Sequence, residues 1–469
     1  MEMVSTPPKP YTDANLAPKE MRDFSVSPRT RYDVKWDKIK ADMTKAFGIP
    51  SASLDKYDKI GKNDLLDGYE MMQLCRLFET ACNQAYMQGH IRGFMHLDNG
   101  QESIPAMIAD TLVKGDIKYS YYRDHTHALA SGVSADAIMA ELFMKETGTC
   151  KGCGGSMHIY DKETNFQGGW ALVSEQLPYA TGAARAILLD RKLYPEKYAN
   201  DDRISVVFIG EGGAQNGRMA ECLNAASKEN LPILFIVIDN GRAINTFTED
   251  VAANQDVFAQ GLHYGVPGVK VDGQDLMDVM RVGRAVVDHV RKSGPAILQV
   301  HTFRFTGHSP ADPEHERGRK DEKKWARAEA DPIKIFEDTA AAENIASVEE
   351  LEARKKKANE MVKASVDFSL KSPMPPRDLA KKLEYPDSPS TDYNLKTVPS
   401  EFAEITKKTV DSTALANAES YIKTLQASGA AGTISIGDAV NLAILEEMVR
   451  IHFELIIFYV FNYFKKNSF

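Results

Sequence analysis

Cysteine is scarce and odd in number, with five among 469 residues. A secreted framework stapled by disulfides needs more, in pairs, so Cys75, Cys82, Cys150, Cys153 and Cys222 fit a reducing compartment. Cys150-Lys-Gly-Cys153 stands alone, with no second pair and no histidines at zinc-finger spacing. A structural or surface role is expected for it over a redox or metal one. Positive charge is also short: 57 Lys and Arg against 66 Asp and Glu leave a net charge of -9. General nucleic-acid binding is excluded, because little would drive counterion release from a phosphate chain.

Long apolar runs are missing as well. The most membrane-like stretch, 451–464, is too short for a span and carries His452, Glu454 and Asn462, so no membrane partner is expected. Near the start, Glu2, Pro7, Pro8, Asp13, Glu20 and Asp23 replace both the apolar core of a signal peptide and the Arg-rich, acid-poor composition of a transit peptide. The expectation is a cytoplasmic protein, with a mitochondrial or plastid matrix as the alternative.

What is present reads as one large α/β domain with appendages. Residues 1–60 read as an extension, with regular structure from Asp64 onward. Apolar spacing predicts helices at 65–87, 101–113 (capped by Asn99), 135–145, 178–190, 219–229 and 274–292. Strand-like runs at 204–209, 231–238, 267–271 and 296–305 alternate with them, the pattern of a mostly parallel sheet covered by helices on both faces. Segments 152–158 and 168–169 read as flexible glycine loops. Charge-dense helical sequence fills 317–371. The Pro/Ser/Asp-rich 372–400 opens a linker running to 432, with a helix at 414–425, and a further unit starts at 433.

Gly210-Glu211-Gly212 follows the first of two apolar runs, and Asp239-Asn240 follows the second. A helix between two parallel strands brings Glu211 and Asn240 to the same sheet end. A hard cation such as Mg²⁺ takes oxygen ligands, here one carboxylate, one amide oxygen and phosphate oxygens. Gly212 and Gly213 let backbone N–H groups approach a diphosphate, and the helix opening near 216–218 adds its positive end. Tyr122 and Arg123 offer a hydroxyl and a guanidinium fork. Ala171, Val173, Arg304 and His308 fall in loops that reach the same end.

Arg92-Gly-Phe-Met-His-Leu97 with Asn99-Gly-Gln-Glu102, Tyr122-Arg123-Asp124-His125, Lys151-Gly-Cys-Gly-Gly-Ser-Met-His158, the segment 210–240, Val271-Asp-Gly273 and Arg304-Phe-Thr-Gly-His-Ser309 resemble, in order, the alpha subunit of pyruvate dehydrogenase. That subunit belongs to the thiamine-diphosphate-dependent 2-oxoacid dehydrogenases, and the likeness covers about 60–370. It implies the thiamine-diphosphate-binding α/β fold with a helical C-terminal region, and thiamine diphosphate and Mg²⁺ as cofactors. Glu211, Asn240 and the backbone carbonyl of Arg242 would hold the metal. Tyr122, Arg123, Gly212, Gly213 and His308 would contact the diphosphate or active site. Ala171 and Val173 would touch the aminopyrimidine, and Ile244 would bend the cofactor. His96, Arg304 and His308 are the implied catalytic positions. Two departures stand out: the family usually has Asp at Glu211 and an aromatic residue at Arg242. Glu is the form of the branched-chain relatives.

The implied partners are a beta subunit in a heterotetramer, a lipoyl-bearing dihydrolipoyl acetyltransferase, and pyruvate. The Glu that activates the cofactor belongs to the beta subunit in such enzymes, and no counterpart is visible here. Residues 434–450 resemble the first helix of a beta subunit, which suggests a truncated start of that domain over 433–469. Ser309 lies where mitochondrial members are phosphorylated, with an unmodified serine as the alternative, and Glu316 replaces the second such serine. A branched-chain 2-oxoacid dehydrogenase alpha subunit and a non-catalytic assembly subunit stay open.

Overall fold

The computed structural model describes residues 35–379, apart from 245, 311 and 313–319. The linker beyond residue 379, the 414–425 helix, the beta-like unit and Glu316 lie outside the described residues. The chain divides into two units, 1–377 and 378–469, and the sheet and its covering helices belong to the first.

Six parallel strands form one sheet: β1 (Ile117–Tyr121), β2 (Phe166–Trp170), β3 (Ser205–Gly210), β4 (Ile233–Asp239), β7 (Gly268–Asp272) and β8 (Ala296–His301). Their order is β2-β1-β3-β4-β8-β7, and β5 (Arg242–Ala243) with β6 (Thr246–Phe247) makes a small separate hairpin. The unbroken apolar run of β4 has a simple cause. Leu234, Ile236 and Ile238 pack into one core while Ile233, Phe235 and Val237 pack into the core on the opposite face. Both faces are covered, so alternation has no polar side to show.

Helices supply the covers. Leu276–Ser293 begins where the Asp275 carboxylate accepts the Asp278 N–H at 3.2 Å, and stops at Gly294. Its Gly283 lies so near Met107 that an added Cβ would collide with that side chain, so glycine sets the approach of this helix to Ser103–Thr111. The long Lys62–Met87 helix packs beside Val348–Lys371, which opens on a complete capping box between Ser347 and Glu350. Among the described residues no helix is long and apolar enough to cross a membrane.

Several local expectations shift. Among the described residues, regular structure begins at the Trp36–Phe47 helix, whose Trp36, Ile39 and Met43 are buried in the main core, well before Asp64. Asn99 does not cap the next helix, which runs Ser103–Thr111 without a side-chain cap. β8 ends at His301, leaving 302–305 outside the sheet. Gly168 and Gly169 are part of β2 rather than a flexible loop. The 152–158 segment is also held, because the Glu141 oxygens accept three of its amides, Gly152 at 2.9 Å, Gly154 at 2.7 Å and Gly155 at 3.0 Å, together with that of Cys150 just before it at 2.7 Å.

Candidate active site

Parallel strands deliver all their carboxyl ends to one edge, and a ligand crevice forms there. In this sheet the edge opens into a cleft of about 340 Å³. From the end of β1 it receives Tyr122 and Arg123, and from the end of β2, Ala171 and Val173. Glu211, Gly212 and Gly213 follow β3; Asn240, Arg242 and Ile244 follow β4. Arg304 and His308 come from beyond β8, and His96 from the loop after the Lys62–Met87 helix. Every residue expected to hold the metal or the cofactor, or to act in catalysis, therefore lines the same cleft, whereas Ser309 and the two cysteines of the Cys150–Cys153 motif do not.

The β3 and β4 ends are locked in register, Gly210 beside Ile238, and the Glu211 N–H donates to the Ile238 carbonyl at 3.2 Å. Glu211 is 2% exposed. Asn240 is oriented by a buried chain: its Nδ2 donates to Gln101 Oε1 at 3.1 Å, and Gln101 in turn donates to Asp98. That leaves Asn240 Oδ1 as the outward oxygen, met by the Arg242 N–H at 3.3 Å. One carboxylate and one oriented amide oxygen suit a hard divalent cation. Gly212 has no room for a side chain. A Cβ there would stand 2.5 Å from the Ala243 Cβ, so only glycine fits.

Ile244 has φ 57. A β-branched residue in the left-handed region costs on the order of 1–3 kcal/mol and persists where its surroundings over-determine it. Its side chain is half exposed on the cleft wall. Gln176 and Ser174 join the wall without having been anticipated; Gln176 Nε2 donates to the Phe208 carbonyl at 2.8 Å, and Ser174 Oγ to that of Gly213 at 2.7 Å.

Three aromatic side chains crowd the other wall. The His96 ring lies tilted against Tyr122 at 4.6 Å and edge-on to His308 at 4.8 Å, centroid to centroid. Burial, followed by the nearby charge of Arg123, pushes His96 down to about 2, so its ring is neutral. Its Nδ1 is buried without a hydrogen-bond partner among the described residues. Arg123 is 1% exposed, and its fork already donates to the Leu97 and His308 carbonyls. It therefore braces the cleft with one hand on its own backbone, and the expected free grip on an anion is reduced.

The Arg242 side chain turns away. Its Nη2 donates to both carboxylate oxygens of Glu322, at 2.7 and 2.8 Å, and its guanidinium lies 4.0 Å from the Phe247 ring centroid. The side chain is thereby committed to Glu322 and Phe247. Ser309 is half-buried, and its carbonyl accepts the Asp312 N–H at 2.9 Å.

Beneath the cleft, His125 Nδ1 meets both Glu79 oxygens at 3.1 and 3.2 Å while Nε2 meets Ser156 Oγ at 2.8 Å. Cys82 lies close enough to complete a Glu79, Cys82, His125 cluster of metal-ligand type. Burial raises the Cys82 thiol well above its usual range; burial also opposes the charged His125 ring, but Glu79 beside it holds His125 up.

Residues 69–377 match the family model described as dehydrogenase E1 component. The chain is 40% identical over 319 residues to the pyruvate dehydrogenase E1 component subunit alpha-3, chloroplastic, of Arabidopsis thaliana, across 68% of this chain and 73% of that one. To the pyruvate dehydrogenase E1 component subunit alpha of Porphyra purpurea it is 38% identical over 328 residues, 70% and 94% of the two chains. The Rhizobium meliloti subunit of the same name is 36% identical over 318 residues, 68% and 88%. The family match spans every strand of the sheet and every wall of the cleft, and the chain belongs to the dehydrogenase E1 component family.

Proposed function

We propose that the chain is the alpha part of an alpha/beta enzyme that decarboxylates pyruvate with thiamine diphosphate and Mg²⁺ and passes the acetyl unit to a lipoyl group. The observation that carries this reading is the convergence of Glu211 and Asn240, with the Arg242 backbone, on the edge of one cleft beside Gly212. Those oxygens would hold the cation and the glycine would admit the diphosphate. When bound, thiamine diphosphate supplies a carbon nucleophile and an electron sink.

The protein's own part is electrostatic and steric. Arg123 and Arg304 bring positive charge to the cleft, which favours entry of a 2-oxoacid carboxylate. The neutral His96 ring offers a hydrogen bond at Nδ1 without adding a charge that would trap the carboxylate. Ile244, held at an unfavourable φ, presents an apolar prop for a ring. A beta subunit would complete the site. Two of the similar proteins are chloroplastic by name, so a plastid compartment is compatible with the reading.

Isothermal titration of the full chain, supplied with a beta chain, tests it. Thiamine diphosphate should bind only with Mg²⁺, and Glu211→Gln and Asn240→Ala should each weaken binding at least about tenfold, the weight of a lost charge-assisted ligand. Binding that ignores Mg²⁺ and both substitutions sinks the proposal. Faster turnover of 2-oxoisovalerate than of pyruvate overturns the substrate assignment.

A further inference from the structure

The Cys150-Lys-Gly-Cys153 motif forms a tight turn. The Cys153 N–H donates to the Cys150 carbonyl at 3.1 Å, and both central residues have positive φ, 56 at Lys151 and 75 at Gly152. That is the signature of a type I′ turn, whose ends lie within about 7 Å, a span that includes the roughly 4.4–6.8 Å between Cα atoms that a disulfide bridges. Glycine is required at 152, because a Cβ would stand 2.5 Å from the Met144 backbone. The buried Glu141 carboxylate fastens the turn from beneath through four amides, including that of Cys150. The backbone spacing of the pair is thus held before any bond forms between the sulfurs, which now donate to different carbonyls, those of His158 and Lys151.

We propose that Cys150 and Cys153 are a redox modification site, closing a reversible disulfide by exchange with an oxidised disulfide of a small thiol or a dithiol protein. Cys153 is exposed and Cys150 half-buried, so the two sulfurs have distinct tasks. The Cys153 thiol gives its proton to solvent, attacks one sulfur of the oxidant and expels the other as a thiol. Cys150 then loses its proton and attacks the Cys153 sulfur in the mixed disulfide, releasing the second thiol. The pair gives up two electrons and two protons in all, and the oxidant disulfide is reduced to two thiols.

The consequence reaches the cleft. In the dithiol state Cys150 Sγ donates to the His158 carbonyl at 3.2 Å, and burial raises the Cys150 thiol so that the donor proton stays in place. A disulfide has no such proton. His158 then loses a backbone anchor, and its neighbour Met157 lines the cofactor cleft while Ser156 bonds His125. Oxidation should therefore weaken ligand binding in the cleft, a consequence that rests on the proposed function.

The full chain equilibrated in glutathione buffers of graded oxidation, then mapped by non-reducing peptide mass spectrometry, tests the site directly. The expected product is a Cys150–Cys153 peptide short of two hydrogens, reversed by dithiothreitol and absent from Cys150→Ser and Cys153→Ser. A stable glutathione adduct on Cys153, or thiols that persist in the most oxidising buffer, overturns the proposal. Thiamine diphosphate with Mg²⁺, titrated into both forms with a beta chain present, should bind roughly fivefold more weakly to the oxidised one, the weight of about one net hydrogen bond. Equal affinity overturns the coupling. Failure of the reduced form to bind counts against the proposed function and leaves the disulfide result standing.

Discussion

The Arg242–Glu322 pair offers a quantitative test of how the metal-side loop is held. Both side chains are 8% exposed, a single nitrogen, Nη2, donates to both carboxylate oxygens, and the guanidinium also rests on Phe247. Removing one member of such a pair strands a charge away from water, at about 3–5 kcal/mol, whereas replacing both with apolar groups is often neutral. Glu322→Gln keeps one acceptor oxygen, so a loss near about 3 kcal/mol is expected. Arg242→Met should cost a similar amount, since it leaves the Glu322 carboxylate buried. The double variant, Arg242→Met with Glu322→Met, should lose far less than the two single losses together. Urea unfolding supplies the energies. Trp325, with its ring centroid 6.1 Å from that of Phe303 on the helix carrying Glu322, reports local loosening by fluorescence before the global transition. If the two single losses simply add in the double variant, to within about 0.5 kcal/mol, the pair is not coupled and the reasoning fails.

Gly212→Ala should leave the far-ultraviolet circular dichroism unchanged but weaken thiamine diphosphate binding about tenfold, as Ala243 is displaced by a Cβ 2.5 Å away; undiminished affinity would mean that the loop yields freely. His96 should stay neutral from about pH 5 to 9. Its folded value is depressed to about 2 from the ordinary 6.5, so its contribution to stability is present above about 6.5 and fades as pH falls below that. Hydrogen–deuterium exchange at the ring C2 position, followed by mass spectrometry, would show a flat profile for His96; a midpoint between about 6 and 7, the range of an unperturbed imidazole, would contradict the burial argument.

Much of the cleft was legible before the fold was known, and for a local reason. Glu211 and Asn240 each stand directly after an apolar run, and a strand buried on both faces announces itself by having no polar alternation. β1 and β2 carried no such signal. Lys118, Tyr119 and Ser120 in β1 and Gly168 with Gly169 in β2 look polar or flexible, and they become strands only because the sheet beside them supplies partners. The Trp36–Phe47 helix was likewise hidden, since its core-facing Trp36, Ile39 and Met43 are spaced sparsely amid charge.

Side-chain partnerships were invisible for a different reason. Nothing near Asn240 in the chain says that Gln101 orients its amide, nothing near Arg242 points to Glu322, and Glu141 gives no hint of the four amides it gathers. Sequence by itself determined the sheet's central strands, the residue types able to meet a cation and a diphosphate, and the family, because periodicity and short motifs are properties of neighbouring residues. Tertiary structure alone decided which oxygen faces outward, which arginine is already engaged and where the cysteine turn lies against the cleft, because hydrogen bonds act over about 3 Å in space and take no account of separation along the chain.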